Sequence, residues 1–182
     1  MKKMILTIGG SSSKNSINKK LAEYAGSLLE NVEVVNIDLN DFEMPLFSVD
    51  VEAEKGYSKA TADLNEIFGK TDGFIISLAE HNGAYSTAFK NTLDWLSRIQ
   101  GKVWRNKPML LLSASPGIRG GKSVLDIALG KFPLMGAKII GNMPFPLFDE
   151  NFKEGEIVNA ELKDALLKLV HEFEKELYKV KL

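Results

Sequence analysis

The sequence predicts a three-layer α/β sandwich built on a five-stranded parallel sheet of strand order 2-1-3-4-5. Three observations predict it. Short apolar runs of strand length fall at residues 3–8, 32–37, 74–78, 109–114 and 137–140. Between them lie longer stretches whose apolar residues recur at i, i+3 and i+4, the spacing of amphipathic helices. The run at 109–114 is apolar on both faces, as a central parallel strand must be. Strand–helix alternation with right-handed crossovers gives a doubly wound sheet, and 2-1-3-4-5 is the common order that needs five strands. At 182 residues the chain reads as one domain over 1–182.

Taken in order, strand one ends in a loop of small polar residues: Gly9, Gly10, Ser11, Ser12, Ser13, Lys14, Asn15 and Ser16. Ile17, Leu21, Ala22, Ala25, Leu28 and Leu29 then trace a helical stripe. After strand two, residues 38–54 read as irregular, with Met44, Pro45, Leu46 and Phe47 folding back as an apolar plug. A second helix over 57–70 carries Ala60, Leu64, Ile67 and Phe68 on one face. Strand three opens into a polar loop, Ala79, Glu80, His81, Asn82 and Gly83, too poor in apolar residues to be core. Ala88, Phe89, Thr92, Leu93 and Leu96 mark the next helix. Pro108 stops any helix before strand four, and residues 115–121 form a Gly-bearing loop beyond it. A helix over 123–134, strand five, a Pro- and Phe-rich loop over 143–155 and a charged amphipathic helix complete the chain.

Composition excludes several classes of function. Net charge is −1 with signs interspersed, so no field draws in nucleic acid or an anionic membrane. Cysteine is absent, which removes thiol catalysis and thiolate metal sites and suits the cytoplasm. Apolar residues near the start stop at Gly9, too soon for a secretory leader, and nothing is long enough for a membrane helix. Two histidines cannot build a multi-histidine metal site. No G-x-G-x-x-G is present, and Pro116 stands where a nucleotide-hydrolase phosphate loop over 117–123 needs its first glycine. A hydrolase nucleophile elbow, G-x-S-x-G, is missing as well.

What remains is three polar loops at the carboxyl ends of strands one, three and four, around the switch point where such sheets bind ligands. Ser11, Ser13, Ser16 and Asn18 offer hydroxyls and helix N–H groups to an anion. Asn82 and neighbouring amides suit the polar edge of a flat heterocycle, with His81 offering a ring face. The blander account makes Ser16 a helix cap and His81 an ordinary exposed histidine.

These residues together resemble the NADPH-dependent FMN reductase family of flavodoxin-like flavoenzymes. Its first-loop pattern G-S-x-R-x-x-S-x-N is matched from Gly10 to Asn18, with Ser13 in place of arginine. Its P-E-Y-N-G appears as Ala79, Glu80, His81, Asn82 and Gly83, followed by Lys90, Asn91 and then Asp94, Trp95, Leu96, Ser97, Arg98. Its S-x-S-P-G-x-x-G-G is intact from Ser113 to Gly121, and Asp38, Leu39, Asp41, Pro45, Leu46 and Phe47 match a further pattern. The resemblance implies bound FMN and a hydride from NADPH or NADH passed to a small-molecule acceptor: a quinone, a nitro- or azo-aromatic, or free flavin. It implies cofactor contacts at Ser11, Ser13, Ser16, Ile17, Asn18, Ala79, Glu80, His81, Asn82, Gly83, Ser115, Gly117, Gly120 and Gly121. No protein acid, base or nucleophile is needed. The rival readings are an FMN electron carrier, against which the near-neutral charge counts, and a flavin-free interaction module.

Self-association as a homodimer or homotetramer is the last expectation. Trp95 projects about 100° from Leu96 on its helix, away from the face that covers the sheet. That places it at a subunit contact, or else under Met44, Pro45, Leu46 and Phe47 of its own chain.

Overall fold

The computed structural model describes residues 2–179. The strands are β1 (Lys3–Gly10), β2 (Val32–Ile37), β3 (Gly73–His81), β4 (Ala84–Tyr85), β5 (Lys107–Ala114), β6 (Ala137–Phe145), β7 (Phe152–Lys153) and β8 (Glu156–Ile157). The helices are α1 (Ile17–Ser27), α2 (Val49–Lys55), α3 (Lys59–Lys70), α4 (Thr87–Ile99), α5 (Lys122–Lys131), α6 (Phe148–Asn151) and α7 (Ala160–Leu177).

The main sheet runs β2-β1-β3-β5-β6, all parallel, with β4 appended antiparallel to the end of β3. Counting parallel strands alone, this is the expected 2-1-3-4-5. The pleat sends alternate residues to opposite faces. Leu6, Ile8, Phe74, Ile76, Leu78 and Leu111 face α3, α4 and α5, whereas Ile5, Ile75, Leu110 and Leu112 face α1 and α7. Two cores with the sheet between them make the three layers.

Several boundaries differ from the sequence reading, among them the helix expected over 123–134, which ends at Lys131 and passes into a 3-10 turn at Phe132–Met135. The 38–54 stretch is not wholly irregular: Ser48 accepts the N–H groups of Asp50 and Val51 and starts α2. No residue of α2 is buried, so it carries no apolar stripe to reveal it. The helix expected from residue 57 starts at Lys59, capped by Ser58. The loop at Ala79–Gly83 is a hairpin, with Glu80 opposite Tyr85 and His81 opposite Ala84. Asn82 and Gly83 turn it with φ of 53° and 78°, the doubly positive pair of a tight two-residue turn. Strand five continues to Phe145, and the stretch read as a 143–155 loop also holds α6, β7 and the turn to β8. Pro144 sits inside that strand because β6 is a sheet edge, where a missing N–H costs no ladder bond.

Trp95 corrects another reading. It is fully buried, its Nε1–H donates to the Pro45 carbonyl at 2.7 Å, and Phe47 meets it edge-on at 5.1 Å. The segment that the sequence makes an apolar plug covers it, so Trp95 offers nothing to a partner subunit.

Candidate functional site

β1, β3 and β5 lie side by side, so the loops after them converge at the β1/β3 switch point. They enclose a cleft of about 240 Å³ lined by Ser11, Ser13, Asn15, Ser16, Ile17, Asn18, Ala79, Glu80, His81, Ala114, Ser115 and Pro116.

One end of the cleft is polar. Ser16 Oγ caps α1 by accepting the Lys19 N–H at 3.1 Å, which leaves its own hydroxyl hydrogen to donate. Ser11 Oγ likewise accepts the Ser13 N–H at 3.1 Å. The first two N–H groups of α1, on Ile17 and Asn18, have no protein acceptor among the described residues. Gly9 allows the approach: a Cβ there would stand 2.5 Å from the Lys19 nitrogen, so only glycine brings β1's end against the first turn of α1. Among the described residues, no lysine or arginine lines the cleft.

The other end is a slot between two backbone walls. Ala79, Glu80 and His81 form one; Ala114, Ser115 and Pro116 form the other. Asn18 joins them from below. Its Oδ1 accepts from Ala114 N–H at 2.8 Å and Ser77 Oγ at 2.7 Å, while its Nδ2 donates to the Ala114 carbonyl at 3.1 Å. At 2% exposure, this carboxamide is spent on holding strand ends together. Glu80 is also spoken for, because its carboxylate accepts the Val124 N–H at 3.0 Å, at the start of α5.

A charged pair braces the polar end from outside. Lys19 Nζ meets Asp38 Oδ2 at 2.5 Å, and Asn40 donates twice to Asp38 Oδ1. The Lys19 ammonium holds the Asp38 carboxyl below its usual range, and Asp38 raises Lys19 in turn. A depressed carboxyl contributes stability above its unfolded value and loses it as pH falls through its folded one. The wild-type advantage over Asp38→Asn, read from denaturant midpoints, is therefore expected in full at neutral pH, expected to start falling near about pH 4, and expected to be lost as pH drops through the lowered folded value. A constant difference across that range would remove the pair from the acid limb.

The comparisons with known proteins bear on this arrangement directly. A family model described as NADPH-dependent FMN reductase matches residues 4–152. The chain belongs to that family. A quinone reductase of Escherichia coli (strain K12) is 31% identical over 120 residues, 66% of this chain and 64% of that protein. The matched stretch thus spans under two thirds of that relative. Probable NADPH:quinone oxidoreductase 1 of Oryza sativa subsp. japonica is 28% identical over 176 residues, covering 89% of this chain and 85% of its own. Among solved structures, the flavoenzyme FerB, an NAD(P)H:(acceptor) oxidoreductase from Paracoccus denitrificans, superposes with TM-score 0.78 at 23% identity, covering 96% and 97% of the two chains.

Within this FMN reductase family chain, nine of the residues singled out from sequence line the cleft: Ser11, Ser13, Ser16, Ile17, Asn18, Ala79, Glu80, His81 and Ser115. Asn82 and Gly83 lie at the hairpin tip, outside it. Gly117 is in the loop beyond Pro116, and Gly120 and Gly121 are buried in the turn into α5. Gly120 is pressed against the Phe145 backbone, and its carbonyl accepts from Ser113 Oγ at 2.8 Å. Asn15, Ala114 and Pro116 are additional lining residues. Each adjoins or sits within a motif already noted, so spacing along the loops was the signal that could have found them.

Proposed function

We propose that this chain is an FMN-dependent oxidoreductase that takes reducing equivalents from NADPH or NADH and delivers them to a small acceptor such as a quinone, a nitro- or azo-aromatic, or free flavin. The observation that carries this is the shape of the cleft's chemistry, with hydroxyls and free helix N–H groups at one end and, at the other, a slot between the backbone segments Ala79–His81 and Ala114–Pro116. That is the donor set for a phosphate joined to a flat ring. Ser11, Ser13, Ser16 and the Ile17 N–H would receive the phosphate. Ala79, His81, Ser115 and Pro116 would border the ring. The chemistry FMN supplies when bound is acceptance of a hydride from a nicotinamide and onward transfer of the electrons. The chain's own part is to bind, to orient and to keep the ring edge dry.

The reading is tested by mixing purified, FMN-loaded protein with NADPH and with NADH, then adding a quinone. Loss of the visible flavin band within seconds and its return with the quinone is the expected result. A flavin band stable to both nucleotides would make the protein an electron carrier instead.

Because no cation among the described residues lines the cleft, the phosphate would rest on neutral donors. Ser13→Arg is expected to tighten FMN by about tenfold if the guanidinium reaches the phosphate as a charge-assisted donor. Riboflavin should bind the native protein clearly worse than FMN. Equal affinities in a fluorescence titration would show that the polar end is not the phosphate site.

Self-association and a cytoplasmic location belong to the same reading. With Trp95 buried, the first is supported by Leu46, Val49 and Tyr57, which remain exposed at 73%, 64% and 48% on the segment laid over α4. The second is supported by the nicotinamide reductant, which is supplied inside cells.

A further inference from the structure

Among the described residues Glu80 is the one carboxylate lining the cleft, and its side chain is engaged with α5. We propose that Glu80 is a positioning residue: by capping α5 it fixes the separation between the two walls of the slot. The proposal rests on the flavin reading above, since the ring is what the slot would hold.

The sequence of α5 explains why it needs a cap from elsewhere. Its N-cap is Gly121, in the left-handed region at φ 76°, with no side chain to accept a hydrogen bond. Its first turn has no acidic residue and begins with Lys122, whose charge opposes the positive end of the helix dipole. Asp126 answers the lysine through an i,i+4 pair, and the Lys122 N–H donates to the Arg119 carbonyl at 3.1 Å, which leaves the N–H groups of Ser123 and Val124 without a backbone acceptor among the described residues. Glu80 Oε2 accepts one of them, from Val124. A carboxylate at this place satisfies a backbone donor and compensates the dipole together.

The same hairpin grips the other end of α5. Tyr85, paired across the strand from Glu80, lays its ring parallel to Phe132 at 6.0 Å with 10° between planes, just past the last residue of the helix. Hairpin and helix are thereby clasped at two points, Val124 and Phe132, eight residues apart. The opposing wall is anchored to the far side of the sheet: Leu147 N–H donates to the Gly117 carbonyl at 3.1 Å, and Phe148 N–H to that of Ser115 at 3.2 Å. Glu80 is therefore the strut from the hairpin wall to the helix that carries the opposing loop. Its charge is met by the helix and not by the ligand.

The test uses full-length protein and compares wild type with Glu80→Ala, Glu80→Gln and, as a phosphate-side control, Ser16→Ala. FMN and riboflavin affinities are read by fluorescence titration. A slot strut acts on the ring that both flavins share. Glu80→Ala is expected to weaken both by the same factor, about tenfold for loss of a charge-assisted hydrogen bond. Glu80→Gln keeps the accepting oxygen and should recover most of it. Ser16→Ala should weaken FMN alone. In the flavin-free protein, amide exchange at Val124 should accelerate in Glu80→Ala and much less in Glu80→Gln. Unchanged flavin affinities alongside a lowered melting temperature would reduce Glu80 to a purely structural cap and overturn the proposal. So would a change in the FMN-to-riboflavin ratio, which would place Glu80 on the ligand itself. Native protein that binds neither flavin is a different result: it overturns the functional reading on which the strut depends.

Discussion

Asn18→Ala is expected to lower the stability of the folded chain by about 3 kcal/mol and to cost most of the flavin affinity. The substitution removes three hydrogen bonds at once and leaves Ala114 N–H, Ala114 C=O and Ser77 Oγ without their partner. An unmade bond to a buried group costs about 1–3 kcal/mol. Water entering from the adjacent cleft would recover part of that, so the total falls at the low end of the sum. Denaturant melts give the stability, and flavin titration gives the binding. Asn18→Asp sharpens the test. It can still accept from Ala114 N–H and Ser77, but it turns a second acceptor toward the Ala114 carbonyl. Protonating that carboxyl supplies the missing donor, so this variant should gain on wild type as pH falls toward 4 or below. If Asn18→Ala melts within 1 kcal/mol of wild type, the carboxamide does not join the strand ends.

The two side chains that shape the slot show where legibility in the sequence stopped. The five parallel strands were readable because each is an apolar run flanked by a helical stripe, a periodic signal that needs no distant partner. The placing of loops one, three and four at one switch point followed from strand order alone. Asn18 and Glu80 were readable as polar residues in those loops, but their work lies in bonds to residues 96 and 44 positions away. No local pattern encodes such a pairing. The hairpin is a different case. Asn82 and Gly83 form the dipeptide that most strongly marks a two-residue turn, and Ala84 with Tyr85 gives it a strand to return on. That signal is present, but β4 is only two residues long and carries no alternating apolar pattern to set it apart from a loop. The helix over Val49–Lys55 has no apolar stripe, since it buries nothing, and is marked only at its ends: Ser48 and two acidic residues at the start, Lys55 and Gly56 at the close.

Trp95 carries the other large effect, and a helical wheel alone misplaces it. Trp95 does turn away from the sheet, and the chain's own Pro45–Phe47 segment covers that far side of α4. Asn91 accepts the Phe47 N–H at 2.8 Å and donates to the Pro45 carbonyl at 3.0 Å, one turn before Trp95 donates to the same carbonyl. Arg98 adds a contact over the Phe47 ring at 5.9 Å while its Nε meets Glu52. The segment is thus laced along α4 by three side chains spaced as one helical face. Trp95→Ala empties a fully buried indole site and is expected to destabilise by about 3–5 kcal/mol. Trp95→Phe keeps most of the packing and leaves the Pro45 carbonyl to Asn91 alone, for about 1 kcal/mol. Limited proteolysis should then cut faster between residues 44 and 57 in both variants, in that order of severity. Light scattering should find the particle mass of Trp95→Phe unchanged, because the indole meets its own chain. Leu46→Glu, on the exposed side of the same segment, should be the substitution that alters any self-association. A Trp95→Phe protein of native stability but smaller mass would return the tryptophan to a subunit contact and refute the lacing.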